Sequence, residues 1–343
     1  MTEPDVAYVT REFTRGGVRL SVRDWGGDGA GVLLLHGLAG HCGEWDGLAR
    51  SLRRDGYRVL ALDQRGHGRS ERAPADVSRK AYVDDVLGVV EEFGRDEGGD
   101  GVGRGSGDGR GFGGPDGDGD RDGRGYGGPD GHGSRDGRGY GGPDGHGSRD
   151  GRGYEGGYGR GERGFVLVGQ SYGGHAALLA AARRHPRIAG AVLVEAGPAG
   201  STPEDVAGVA GWLRGWPVPF AGREAAVSYF GGGAVGEGWA SGLERRDGGW
   251  WPRFDAEVLA ASLDENAVRS WWEEWDAVDV PLLAVLGQHG IIDAEQWDGM
   301  AGRQPALRGV CLPGAGHDVH LERPEEVYGA VVAFLREVDR ARR

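Results

Sequence analysis

Two adjoining stretches of the chain, 122–135 and 136–149, are the same fourteen letters, DGRGYGGPDGHGSR. A diverged copy, DGRGFGGPDGDGDR, stands before them at 108–121, and a fragment, DGRGYE, follows from Asp150. The block that holds them, residues 94–164, has 32 Gly in 71 positions, 14 acidic and 11 basic residues, and almost nothing aliphatic. Ordering such a chain costs about 1–2 kcal/mol of backbone entropy per residue, with no apolar burial to offset it. It is therefore expected to be a disordered surface insertion. Whatever folds must come from the flanks, residues 1–93 and 165–343, which suffice for one large α/β domain or two small domains.

The flanks alternate between two patterns. Continuous apolar runs occur at VLLLH (32–36), YRVLALD (57–63), FVLVG (165–169), IAGAVLVE (188–195), PLLAVLG (281–287) and LRGVCLP (307–313). Runs of this kind fit strands buried on both faces, as in a parallel sheet. Between them lie helical spacings: Trp45, Leu48 and Leu52 on one face, Tyr82, Val86 and Val89–Val90 on another, and an Ala/Leu-rich stretch at 176–182. Tyr8–Thr14 and Val18–Trp25 read as an opening hairpin around Gly16–Gly17. Strands alternating with helices predict a doubly wound α/β fold with a mostly parallel sheet. The core is expected from 1–93, 165–196 and 277–343. Residues 197–276 carry eight of the eleven tryptophans and few strand signals, which predicts a helical cap over a pocket.

One junction carries chemistry. FVLVG runs into GQSYGG and then into a helical stretch, placing G-x-S-x-G at Gly169, Ser171 and Gly173 in a strand–turn–helix context. A serine in such a strained turn projects its hydroxyl above the sheet, and the flanking glycines remove side chains that would clash. A free hydroxyl is a weak nucleophile, so a base is required, and His317 in PGAGHDVH after the last strand is placed to serve. Backbone N–H groups for an oxyanion would come from Tyr172, which follows the serine, and from Leu38 in the HGLAG turn.

The strings HGLAG (36–40), DQRGHGRS (63–70), GQSYGG (169–174) and PGAGHDVHLERPEE (313–326) together resemble the α/β-hydrolase superfamily, in the branch whose core carries a helical lid. The resemblance spans nearly all of the chain outside the repeats. It implies a Ser-His-acid hydrolase with Ser171 as nucleophile and His317 as base. It also implies that Asp63, Arg65, His67 and Ser70 form a structural turn, and that His36 and Gly37 shape the oxyanion turn. The chain departs from the pattern at the acid: relatives carry Asp three residues beyond a Gly after the penultimate strand, and here Gly290 stands there. Glu195, ending AVLVE, and Asp293, three residues past the gap, are the two replacements, with a weak acid or none as the third case. A dehalogenase or epoxide hydrolase is disfavoured because those relatives use a carboxylate where Ser171 stands.

The formal net charge of −13 argues against nonspecific binding to nucleic acid or anionic membranes. Asp offsets Arg in each GRGYGG copy, so the repeats read as a solvated spacer rather than an RNA-binding arm. Cys42 and Cys311 build no disulfide framework and fit a reducing compartment, and the N-terminal sequence shows no secretory signal, so a cytoplasmic protein is expected. No metal-ligand spacing and no G-x-G-x-x-G after a strand is present, so no cofactor and no metal is implied. The expectation is a cofactor-independent serine hydrolase cleaving an ester or related acyl bond of a small apolar substrate. The alternative is a ligand-binding or scaffold protein on the same fold. The oligomeric state is not legible.

Overall fold

The computed structural model describes residues 7–94 and 164–342, so the expectation for the repeat block lies outside the described residues except at its two end glycines. β1 (Val9–Arg15) and β2 (Val18–Gly26) form the opening antiparallel hairpin. Gly16 (φ +56°) and Gly17 (φ +80°) supply the two left-handed residues that a tight hairpin turn requires. There follow β3 (Gly31–Leu35), α1 (Asp46–Arg54), β4 (Arg58–Asp63) and α2 (Arg79–Phe93), the last capped by the Ser78 hydroxyl. Beyond the repeats come β5 (Phe165–Gln170), α3 (Ser171–Ala181) and β6 (Ile188–Val194).

The sheet has eight strands in the order β1-β2-β4-β3-β5-β6-β9-β10, antiparallel through β1, β2 and β4 and parallel from β4 onward. The last two are β9 (Leu282–Gly287) and β10 (Arg308–Leu312), introduced after the excursion described below. Alternation along β3 explains why both faces are covered. Leu33 and Leu35 point to the side of α2 and α3, with Val86, Val89 and Ala177. Val32 and Leu34 point to the opposite side, where Leu48 and Leu52 of α1 meet Val331 and Leu335 of the C-terminal helix. β3, β5, β6 and β9 are buried throughout, as their apolar runs imply, whereas β10 is largely exposed because it forms the sheet edge.

Between β6 and β9 the chain leaves the sheet through α4 (Pro203–Arg214), α5 (Arg223–Tyr229) and α6 (Gly233–Ser241). It continues through β7 (Glu244–Arg246), β8 (Gly249–Trp251), α7 (Ala256–Ala261) and α8 (Trp272–Ala277). The excursion is helical as expected but also contains the small β7–β8 hairpin. Five of its tryptophans fall into two groups. Trp216 sits at the centre of an aromatic cluster with Trp212, Trp239, Phe230 and Phe254, at ring separations of 4.7 to 6.1 Å. Trp271 and Trp275 instead join the core beside α3, and Trp275 donates its indole N–H to Met300 O at 3.2 Å. The chain closes with α9 (Ala294–Arg303), the short α10 (Val319–Glu322) and α11 (Pro324–Ala341). Among the described residues no helix is long and apolar enough to cross a membrane.

Candidate active site

Ser171 begins α3 with φ +49°, a left-handed conformation that costs a non-glycine residue about 1–3 kcal/mol. The turn is enforced by close packing. A Cβ on Gly173 would come within 2.5 Å of Leu35 O, and one on Gly174 would come 2.5 Å from the Ala196 methyl. A Cβ on Gly169 would lie 2.6 Å from Gly174 N. Real side chains never approach so closely, so the glycines around the serine are required by the space between β5, α3 and the turn after β3. Two more non-glycine residues with positive φ flank the same place: Ala39 (φ +61°) in the HGLAG turn and Glu195 (φ +52°) just beyond β6.

Glu195 is completely buried. Its Oε1 accepts from Gly287 N (2.7 Å) and its Oε2 from Ile291 N (2.6 Å), so the carboxylate bridges the end of β9 and the loop after it. Oε2 also lies 3.4 Å from His317 Nδ1. That separation is long for a hydrogen bond, as such contacts often are before a ligand is bound. A Cβ on Gly290 would overlap both Glu195 carboxylate oxygens at well under 3.0 Å. Gly290 therefore leaves open the volume that the Glu195 carboxylate occupies. Asp293 is exposed and accepts from Gln296 N (2.8 Å) as the N-cap of α9. It does not join this group.

The second face of His317 is held by a residue that sequence reasoning passed over. Gln170, the last residue of β5, places its side-chain amide nitrogen 3.1 Å from His317 O and 3.3 Å from His317 Nε2. A carbonyl only accepts, so the nitrogen end must face His317, and the same NH2 can reach Nε2 only if that ring nitrogen offers a lone pair. The proton then belongs on Nδ1, toward Glu195. The one available signal was a polar residue closing an otherwise apolar buried strand. Ser171 Oγ makes no hydrogen bond among the described residues.

The surrounding loops are tied by other buried polar groups. Asp63 accepts from Cys42 N (2.8 Å) and Arg69 N (2.9 Å); it keeps a low pKa despite burial because His36 and these N–H groups favour its charge. His36 accepts from Gln64 N through Nε2 and faces Gly37 O through Nδ1, and burial pushes its pKa down to about 3. It is thus a neutral brace of the turn. Arg65 forms a buried two-point ion pair with Asp85 (2.7 and 2.8 Å). Leu38 packs against the cluster that holds Tyr172, and Tyr172, in the first turn of α3, has a backbone N–H with no partner within the helix. Among the described residues no cluster of His, Cys, Asp or Glu could hold a metal ion.

The alpha/beta hydrolase family model matches residues 32–330. The chain is 38% identical over 90 residues to a bifunctional esterase/perhydrolase of Acinetobacter calcoaceticus, covering 26% of this chain and 32% of that one. It is 35% identical over 79 residues to a non-heme chloroperoxidase of Streptomyces lividans, covering 23% and 29%. These alignments span about a third of the relatives' length. In three dimensions it is similar to E-2-(acetamidomethylene)succinate hydrolase, with a TM-score of 0.69 at 20% identity over 96% of this chain and 99% of that one.

Proposed function

The chain belongs to the alpha/beta hydrolase family, and we propose that it is an enzyme of that class, a serine hydrolase cleaving an ester or related acyl bond of a small molecule. The single observation that carries this reading is the Glu195 carboxylate behind His317, beside a serine held in the left-handed turn. Ser171 Oγ attacks the carbonyl carbon while His317 Nε2 takes its proton. Glu195 holds the Nδ1 proton and stabilises the imidazolium. The backbone N–H groups of Leu38 and Tyr172 receive the oxyanion. His317 then protonates the leaving alcohol, and in the second half it deprotonates a water that releases the acid and restores Ser171. Residues 197–276 act as the cap over this site, and its apolar neighbours Leu263 and Val206, packed with Tyr172, suit the acyl chain.

A binding or scaffold role has one observation on its side: Gln170 occupies the Nε2 lone pair that the mechanism needs free. A fluorophosphonate probe and a 4-nitrophenyl ester separate the two. Labelling of the wild type that disappears in Ser171→Ala, with turnover lowered by at least ~10³-fold, is expected. Wild-type protein that neither labels nor turns over the ester would leave the scaffold reading standing.

A further inference from the structure

Arg79, the first residue of α2, is 2% exposed, and its Nε donates to Asn266 Oδ1 at 3.1 Å. Its guanidinium lies 3.7 Å from the centre of the Tyr172 ring. Both terminal nitrogens, Nη1 and Nη2, are buried without a hydrogen-bond partner among the described residues. Arg65, equally buried, shows how this fold neutralises such a group: Asp85 meets it with both oxygens. Among the described residues Arg79 has no such carboxylate, and a buried charge left uncompensated is strongly unfavourable. One turn along α3 from Ser171, His175 is also buried, with neither ring nitrogen partnered among the described residues.

We propose that Arg79 is the seat for a carboxylate of the substrate, so that the acyl group cleaved is one arm of a short dicarboxylic acid. The proposal rests on the hydrolase reading above and deepens it: the substrate is apolar in the middle and anionic at its far end. A guanidinium offers two parallel N–H groups at the spacing of a carboxylate's two oxygens, and Arg79 has that pair free. Tyr172 connects the two ends of such a ligand. Its backbone N–H stands beside Ser171, and its ring carries Arg79, with Leu38 and Leu263 packed alongside. Half-esters of acids such as succinate or glutarate carry this pair of groups, an ester at one end and a carboxylate at the other.

Two measurements test this. In the first, the Ser171→Ala protein is titrated calorimetrically with monomethyl glutarate and with methyl pentanoate, its neutral counterpart. The acid should bind at least ~30-fold more tightly, and the difference should vanish with Arg79→Met and shrink with Arg79→Lys, which keeps the charge but loses the fork. In the second, kcat/KM is compared for mono-(4-nitrophenyl) glutarate and 4-nitrophenyl pentanoate, with the same ~30-fold preference expected of the wild type and its collapse to within ~3-fold of unity in Arg79→Met. If Arg79→Met does not fold, the wild-type preference and its reduction in Arg79→Lys decide the matter. No preference for the acid in the wild type, or a preference that both substitutions leave intact, overturns the proposal. Arg79-dependent binding of monomethyl glutarate without turnover of either ester or labelling of Ser171 would sustain the subsite while refuting the hydrolase reading.

Discussion

The Glu195 carboxylate and a side chain at Gly290 would occupy one volume, reached from the turns that follow β6 and β9, so the acid should be transferable between them. Glu195→Gly removes the carboxylate and suits the φ of +52° at that position, so it adds no backbone strain. The loss of the group behind His317 should lower turnover by up to ~10⁴-fold, about 5 kcal/mol at 1.36 kcal/mol per decade. Gly290→Asp alone places a side chain onto the Glu195 oxygens. It must push the carboxylate off Gly287 N and Ile291 N, and two charge-assisted hydrogen bonds at about 1.5–3 kcal/mol each make this variant unstable as well as inactive. Gly290 is not among the residues with positive φ, and the three atoms nearest to a Cβ there all belong to Glu195. In the double variant the new Asp enters the vacated space, and turnover should rise at least ~30-fold above Glu195→Gly, the non-additivity expected of sites sharing one volume. The assay is hydrolysis of a 4-nitrophenyl ester, normalised to fluorophosphonate-reactive protein. A double variant no better than Glu195→Gly, or a Glu195→Gly variant close to wild type, would refute the reasoning.

Asp293→Asn should keep turnover within about threefold and the melting temperature nearly unchanged, since Asn caps a helix as well as Asp; a collapse of turnover would return the acid to that loop. The buried pair Glu44–His320 (3.3 Å) should show in the pH dependence of stability. Burial raises Glu44 from 4.5 to about 7, so folding holds its proton where the unfolded chain releases it, and this group's contribution falls as pH rises through that window. His320, pushed by burial down to about 4, acts in the opposite sense, losing stability as pH falls below 6.5. Glu44→Gln removes only the first effect, so its melting temperature relative to wild type should climb between pH 5 and pH 8 in calorimetric scans; a constant or falling difference would contradict the raised carboxyl.

The strands and the serine turn were legible because their signals are local. A run such as FVLVG carries its burial in its own letters, and the glycines at 169 and 173 mark a turn that only they can enter. The acid was legible only as a gap and two candidates. Glu195 and Gly290 are brought together by the pairing of β6 with β9, a contact that no short window contains. Gln170 left only a faint signal and Arg79 none. A polar residue at a strand end and a basic one in the first turn of a helix both read as solvated, and what distinguishes them is burial supplied by distant segments. Asn266, which holds Arg79, is 187 residues away.

The left-handed residues around the site have a consequence for how this protein can change. Ala39, Ser171 and Glu195 together hold several kcal/mol of unfavourable conformation, at about 1–3 kcal/mol each, a sizeable share of the 5–15 kcal/mol by which a domain is usually stable. Glycine at 171 or 195 relieves that strain and removes the proposed chemistry in one step. Laboratory evolution for heat resistance alone would therefore drift toward tougher, silent variants at these positions, and only a screen that also reads turnover would retain the serine and the glutamate.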